Sequence, residues 1–124
     1  MNLNQITVPS LNLEKSIPFY QKLGLQLIVE ALPHYARFEC PEGDATFSIH
    51  QVEKLPTGDG VHVYFECSNL DEHVKALIEK GIEFEELPND KNWKWREARL
   101  RDVDNNQIIL FFGGVNRKNP PWRI

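Results

Sequence analysis

Gln5 and His62 both carry side chains able to ligate a metal or hydrogen-bond a polar molecule, and they lie 57 residues apart. The same offset takes Leu13-Glu14 to Leu70-Asp71, Ile17 to Val74, and Gly24-Leu25 to Gly81-Ile82. An internal repeat of this kind puts Gln5 and His62 at equivalent points of two half-domains. A second offset, 61, lays residues 43–49 on 104–110 and makes Ser48 equivalent to Ile109. A bound divalent ion needs three or four N, O or S ligands, and a carboxylate among them offsets its charge. Gln5 and His62 qualify, Ser48 is a poor donor, and Ile109 has no donor atom. His50, two residues from Ser48, is the remaining candidate. The metal set is therefore Gln5, His50 and His62, and it is incomplete.

A second group suits an organic ligand. Glu97 and Arg99 are two apart on an alternating stretch and share a face. They can pair with each other, or Arg99 can hold a substrate carboxylate or phosphate with its planar fork. Trp95 has the same parity and is either an aromatic wall or packed beneath the C-terminal tail. Parity adds Thr7, Ser48, Tyr64, Glu66, Ile109 and Phe111 to this face. A mixture of aromatic, aliphatic and few polar groups fits a pocket lining, although one face of an antiparallel sheet is also commonly just solvated. Neither a Ser-His-Asp nor a Cys-His arrangement with a known local context occurs, and the glycines form no phosphate loop.

The elements that must position these residues follow from periodicity. Residues 5–8, 46–50, 62–66, 97–101 and 107–111 alternate polar and apolar, as half-buried strands do. Residues 35–39 add a strand, and shorter ones are expected at 27–31 and 83–87. Ile6, Val8, Phe47, Ile49, Val63, Phe65, Ala98, Leu100, Ile108 and Leu110 form the opposite, apolar face. Two amphipathic helices must cover it. The second should be capped by Asn69, carry Glu72 at the capping-box position, bury Leu70, Val74, Leu77 and Ile78, and stop at Gly81. The first spans roughly 13–23, but interior Pro18 lacks a donor. That helix either kinks or starts late, with Ser16 as cap. Each half then reads β-α-β-β-β, so the fold class is α+β. The chain is taken as a single domain over 1–124, with one module at about 1–55, a linker at 56–60, a second at about 60–112, and a tail at 113–124. The tail holds Pro120-Pro121-Trp122, whose tryptophan is expected to dock on its own chain or on a partner.

Composition narrows the function. The chain has 124 residues, is 41% hydrophobic and 26% charged, and carries a net charge of −4. This describes a globular domain without the positive field that nucleic acid or an anionic membrane would attract. Cys40 and Cys67 are too few for a disulfide scaffold and are read as reduced thiols. The first residues show no signal-peptide pattern, and no apolar run is long enough to span a bilayer, so a cytoplasmic location is expected.

These motifs resemble the vicinal oxygen chelate superfamily of glyoxalase I, bleomycin- and fosfomycin-resistance proteins and extradiol dioxygenases. The resemblance covers nearly the whole chain. It is carried by Gln5 ahead of Ser16-Ile17-Pro18-Phe19-Tyr20 and Leu23-Gly24, by Gly60-Val61-His62-Val63-Tyr64, and by Arg101-Asp102-Val103-Asp104-Asn105-Asn106 before a last strand. The family usually writes that turn Asp-Pro-Asp-Gly-Asn; the Val and Asn here should leave the hairpin intact. The segment 95–100 and the tail 116–123 look like one uncharacterised branch. The resemblance implies paired βαβββ modules in a curved mixed sheet around a cleft, and a homodimer. It also implies metal ligands at Gln5, Ser48, His62 and Ile109, where metal-using members mostly carry a Glu at the last. Glyoxalase and extradiol chemistry both need a carboxylate that Ser48 and Ile109 do not supply. The favoured reading is a metal-free binder of a small organic molecule. The alternative is a lyase or dioxygenase holding Zn, Ni, Mn or Fe through Gln5, His50 and His62. An interaction module without ligand is the third.

Overall fold

A computed structural model describes residues 1–124. By internal contacts the chain divides into two units. The first is Met1–Gly60 together with Asp102–Asn106, and the second is Val61–Arg101 together with Gln107–Ile124.

The first unit is a four-stranded mixed sheet with one helix. Its strands are β1 (Gln5–Ser10), β2 (Gln26–Ala31), β3 (Tyr35–Glu39) and β4 (Thr46–Gln51), in the order β1-β4-β3-β2. β1 runs parallel to β4, and β4-β3-β2 are antiparallel. Helix α1 (Leu13–Leu23) connects β1 to β2. Its cap is Asn12, whose side chain accepts the Glu14 amide at 3.0 Å. The helix thus starts before Ser16 and carries Pro18 in its interior. The expectation of a late start fails because Asn12 satisfies the first turn. The donor missing at Pro18 would have gone to the carbonyl of Glu14, an exposed residue that water can serve. Ser16 is instead a buried hydroxyl, 2.6 Å from Ser10 and donating to Asp104 at 2.8 Å. At Gly24 the backbone turns left-handed (φ +112), which glycine adopts without a Cβ penalty, and the helix stops.

The buried stripe of α1 is Leu13, Ile17, Tyr20 and Leu23. The Tyr20 ring packs on Phe47 and Phe38, with centroids 4.6 and 5.7 Å away. Its hydroxyl donates to Asp102 Oδ2 at 2.5 Å. Burial, and after it the Asp102 charge, hold this phenol far above its ordinary pKa, so it remains a neutral donor. Asp102 also accepts the amides of Asp104 and Asn106 and the Asn106 side chain at 2.7–2.9 Å. Asn105 takes φ +68 in this turn. Asn is the non-glycine residue that best tolerates that region, which is why the turn survives without the usual Gly.

The second unit repeats the plan. Strands β5 (His62–Glu66), β6 (Glu86–Asp90), β7 (Arg96–Arg101) and β8 (Gln107–Phe112) take the order β5-β8-β7-β6, with β5 parallel to β8. Helix α2 (Leu70–Glu79) buries Leu70, Val74 and Leu77. Three expectations need correction. Ile78 is half-exposed, lying just off the stripe that faces the sheet. Asn69 precedes α2 but makes no side-chain cap bond, its φ/ψ of −122/57 not being the usual extended cap. The sixth strand lies at Glu86–Asp90, not 83–87, because its pairing with β7 shifts between Glu86 and Asn89 around Pro88. Gly81 does close α2 at φ +91, with the Ile82 amide returning to Leu77. A short helix α3 (Val115–Lys118) follows β8. Trp122 beyond it is 54% exposed. No helix is long and apolar enough to cross a membrane.

Candidate functional site

Strand register sorts the non-helical face of each unit into cross-strand rows. In the second unit, Tyr64 pairs with Ile109, Ile109 with Arg99, and Arg99 with Glu86. The next row is Glu66, Phe111, Glu97 and Asn89, and the row on the other side holds His62, Gln107 and Arg101. Neighbours within a row lie close enough to interact directly.

Aromatic and charged clusters meet on this face. Trp95 stacks on Phe111 with centroids 4.5 Å apart, and Tyr64 stands edge-on to both at 5.9 and 5.6 Å. Phe111 is buried, whereas Tyr64 is 43% exposed. The Glu97 carboxylate is fully buried, and its Oε1 accepts the Trp93 indole N–H at 2.8 Å. Its Oε2 lies 3.4 Å from Arg99 Nη2. Arg99 Nε is 3.5 Å from Glu86, which also holds Lys91 and the Asn89 amide. The bond to Lys91, then that to Asn89, keep the Glu86 carboxyl below its ordinary pKa, against the effect of burial. No buried side-chain polar atom is left without a partner.

Glu66 plays a different part from the one expected. Its Oε2 accepts the amides of Gly113 and Gly114 at 2.8 and 3.0 Å, and Arg117 lies 3.5 Å from Oε1. This carboxylate anchors the start of the tail. Trp95 does the same from the other strand, its indole N–H reaching the Asn116 carbonyl at 3.4 Å. Of the two readings of Trp95, packing against the tail segment is realised, alongside its place in the aromatic cluster. A Cβ at Gly113 would stand 3.0 Å from Trp95 Nε1, so a larger residue there would force the Trp95 and Phe111 rings to shift. The pocket beside this segment has a volume of about 440 Å³ and is lined by Trp95, Arg96, Phe112 and Val115, among others.

In the first unit the rows are Pro9, His50, Tyr35, Ala31; then Thr7, Ser48, Arg37, Val29; then Gln5, Thr46, Glu39, Gln26. Ser48 is fully buried, its hydroxyl 2.6 Å from that of exposed Thr7. Gln5 accepts the Thr46 hydroxyl at 2.7 Å. Gln5 and His50 stand four rungs apart along β1 and β4, about 13 Å at the usual strand rise. Sheet side chains stand nearly perpendicular to the sheet, so these two do not converge on one ion. Sequence alternation could have added Tyr35 and Arg37 to the candidate face, since both belong to the 35–39 strand. Glu86 and Trp93 had no such signal, because the β6 register and the turn before β7 are not periodic.

The donor set does not fit a divalent metal. Ile109 is buried and has no donor atom, the Ser48 hydroxyl is committed to Thr7, and Gln5 and His50 are separated. No cluster of three or more His, Cys, Asp or Glu side chains is arranged to hold an ion. Cys40 and Cys67 form no disulfide, and burial pushes the Cys40 pKa up, away from thiolate chemistry.

Comparison with known proteins places this geometry in context. Residues 2–110 match the family described as Glyoxalase/Bleomycin resistance protein/Dioxygenase superfamily. A glyoxalase/bleomycin resistance protein/dioxygenase from Nocardioides is 25% identical with a TM-score of 0.76, the alignment covering 100% of this chain and 89% of that one. Lactoylglutathione lyase from Agrobacterium tumefaciens is 16% identical (TM-score 0.75; 90% and 93% covered), and TioX from Micromonospora sp. ML1 is 14% identical (TM-score 0.73; 90% and 98% covered). These last two likenesses are of fold alone. No curated relative matches the sequence.

Proposed function

This chain belongs to the Glyoxalase/Bleomycin resistance protein/Dioxygenase superfamily, and from that premise we propose that it binds a small planar organic molecule without a metal. The observation that carries the reading is the second unit's sheet face. There, exposed Tyr64 stands edge-on to stacked Trp95 and Phe111, in the row of Arg99 and one row from buried Glu97. An aromatic ligand lying against Tyr64 would gain about 0.5–1.5 kcal/mol from ring geometry beyond area burial. Arg99 would hold a polar substituent. Glu97 keeps Arg99 and Trp93 oriented, since a buried carboxylate with two donors fixes both. The lyase or dioxygenase alternative would require Gln5, His50 and His62 to share an ion, which the separation of Gln5 from His50 disfavours. The same reading takes the protein as a cytoplasmic homodimer, checked by light scattering and by fractionation of the source cells.

The test is tryptophan fluorescence of the purified protein during titration with a panel of neutral aromatic amides and ketones, with and without EDTA. Saturable quenching, unchanged by EDTA and weakened in Tyr64→Ala and Arg99→Gln, is the expected result. Near-stoichiometric Zn, Ni, Mn or Fe in the purified protein, lost in His62→Ala and needed for any binding, would overturn the proposal.

A further inference from the structure

The two units serve as internal controls for each other, and they differ in the charges around one equivalent arginine. Register makes Arg37 the counterpart of Arg99: Arg37 pairs with Ser48 and Val29, and Arg99 with Ile109 and Glu86. Tyr35 correspondingly matches Glu97, since the two pair with His50 and Phe111. Arg99 is therefore neutralised by two carboxylates, Glu86 and Glu97. The equivalent positions around Arg37 hold Val29 and Tyr35, neither of them an acid.

Arg37 is half-buried on an inner strand of its sheet. Its Nε donates to the Tyr35 hydroxyl at 2.8 Å, and its guanidinium carbon lies 5.4 Å from the Tyr35 ring centre. These contacts fix the fork while leaving its two terminal nitrogens without a hydrogen bond or ion pair. Arg96, Arg99, Arg101 and Arg117 all hold carboxylates. Glu39, two residues along β3 on the same face, is exposed and makes no ion pair with Arg37. The terminal nitrogens therefore face solvent, where a charge-assisted bond to an oxyanion can replace water. We propose that Arg37 is an oxyanion-binding site, taking the carboxylate or phosphate group of a small molecule on the first unit's sheet face.

The Tyr35 phenol, which shares these contacts, points the same way. Burial raises its pKa, but hydrogen bonds to Ser48, Arg37 and Gln5, together with the Arg37 charge, bring it net below the ordinary value. The surroundings of that oxygen thus already favour a negative group. The inference concerns the first unit alone and does not depend on the reading of the second unit's face.

The test is NMR observation of the arginine Nε–H signals during titration with sodium phosphate, and separately with sodium benzoate, at ionic strength held constant with chloride. The Arg37 signal should shift saturably with at least one of the two, and which one separates phosphate from carboxylate preference. Loss of a charge-assisted contact should weaken binding about tenfold or more in Arg37→Gln, seen through the Tyr35 and Ser48 backbone signals. Val29→Glu, which installs the carboxylate found beside Arg99, keeps Arg37 and should abolish binding by internal neutralisation. Val29 is partly exposed on the edge strand, so this variant should fold even if Arg37→Gln does not. A shift linear in both anions, or equal affinity in Val29→Glu, would overturn the assignment.

Discussion

Replacing Tyr20 by Phe removes one hydroxyl from a site where its partner is known and no cavity forms. The ring contacts to Phe47 and Phe38 remain. What is lost is a hydrogen bond donated to an ionised, nearly buried carboxylate, the class that contributes about 1.5–3 kcal/mol. Asp102 Oδ2 retains the Asn106 side-chain bond at 2.7 Å, so the acceptor is not abandoned. The expected loss is then about 2 kcal/mol, in the lower half of that range. For 124 residues, an unfolding entropy of about 2.1 cal/mol/K per residue gives roughly 0.26 kcal/mol/K, hence a fall in Tm of about 8 °C. Urea unfolding should show a lower midpoint at unchanged m-value, since the exposed surface is the same. Asp102→Asn, and the double variant with Tyr20→Phe, should be non-additive by about 1 kcal/mol or more, because the two groups share one interaction. A loss under about 0.5 kcal/mol, or strict additivity, would show that Tyr20 and Asp102 are not coupled and that water serves the phenol equally well.

Three further outcomes follow from local geometry. Gly113→Ala should destabilise the second unit by about 1–3 kcal/mol, as overpacking does, because its Cβ would meet Trp95 and Phe111 at 3.0–3.2 Å; a thermal melt equal to wild type would contradict this. Glu97→Gln keeps shape but turns an amide N–H toward Arg99 or Trp93, so the Trp93 emission should shift red as its ring is released, and an unchanged spectrum would count against the Glu97–Trp93 bond. Glu86 has a folded-state pKa below the ordinary 4.5, so its contribution is present above the unfolded value and is lost as pH falls through the lower, folded one. Carboxyl NMR should place its midpoint below 4.5, and Lys91→Met should move it upward.

Most of the fold was legible because two signals agreed along the chain. Alternation located β1, β4, β5, β7 and β8, with β3 read as a further strand, and the 57-residue offset showed that both halves share one plan. Errors fell where structure departs from periodicity. Pro18 looked like a helix break, but Asn12 capped the first turn and the freed carbonyl sits on an exposed residue. The β6 boundary moved because a bulge is set by its partner strand, which local sequence does not encode. The site was legible only as a face. Parity put Glu97 beside Arg99, yet it could not say that Glu97 is buried, that Trp93 reaches it across a turn, or that Glu66 is spent on the Gly113-Gly114 amides. Those facts depend on side-chain reach. What sets Arg37 apart carries no signal in the sequence, because only the paired registers of β3 and β7 show that its neighbours lack the acids that surround Arg99.

The hairpin turn Asp102–Asn106 belongs by its contacts to the first unit, although it lies between two strands of the second. Severing the chain between Gly60 and Val61 would therefore not yield two self-sufficient halves. The fragment 1–60 would carry a buried Tyr20 hydroxyl with no acceptor, and a Ser10–Ser16 pair without Asp104. The fragment 61–124 would carry five residues with nothing to cap. Each piece alone should be poorly structured, and mixing them should restore order, making the 56–60 loop a natural break point for a reporter that gives signal only when its two fragments reassociate.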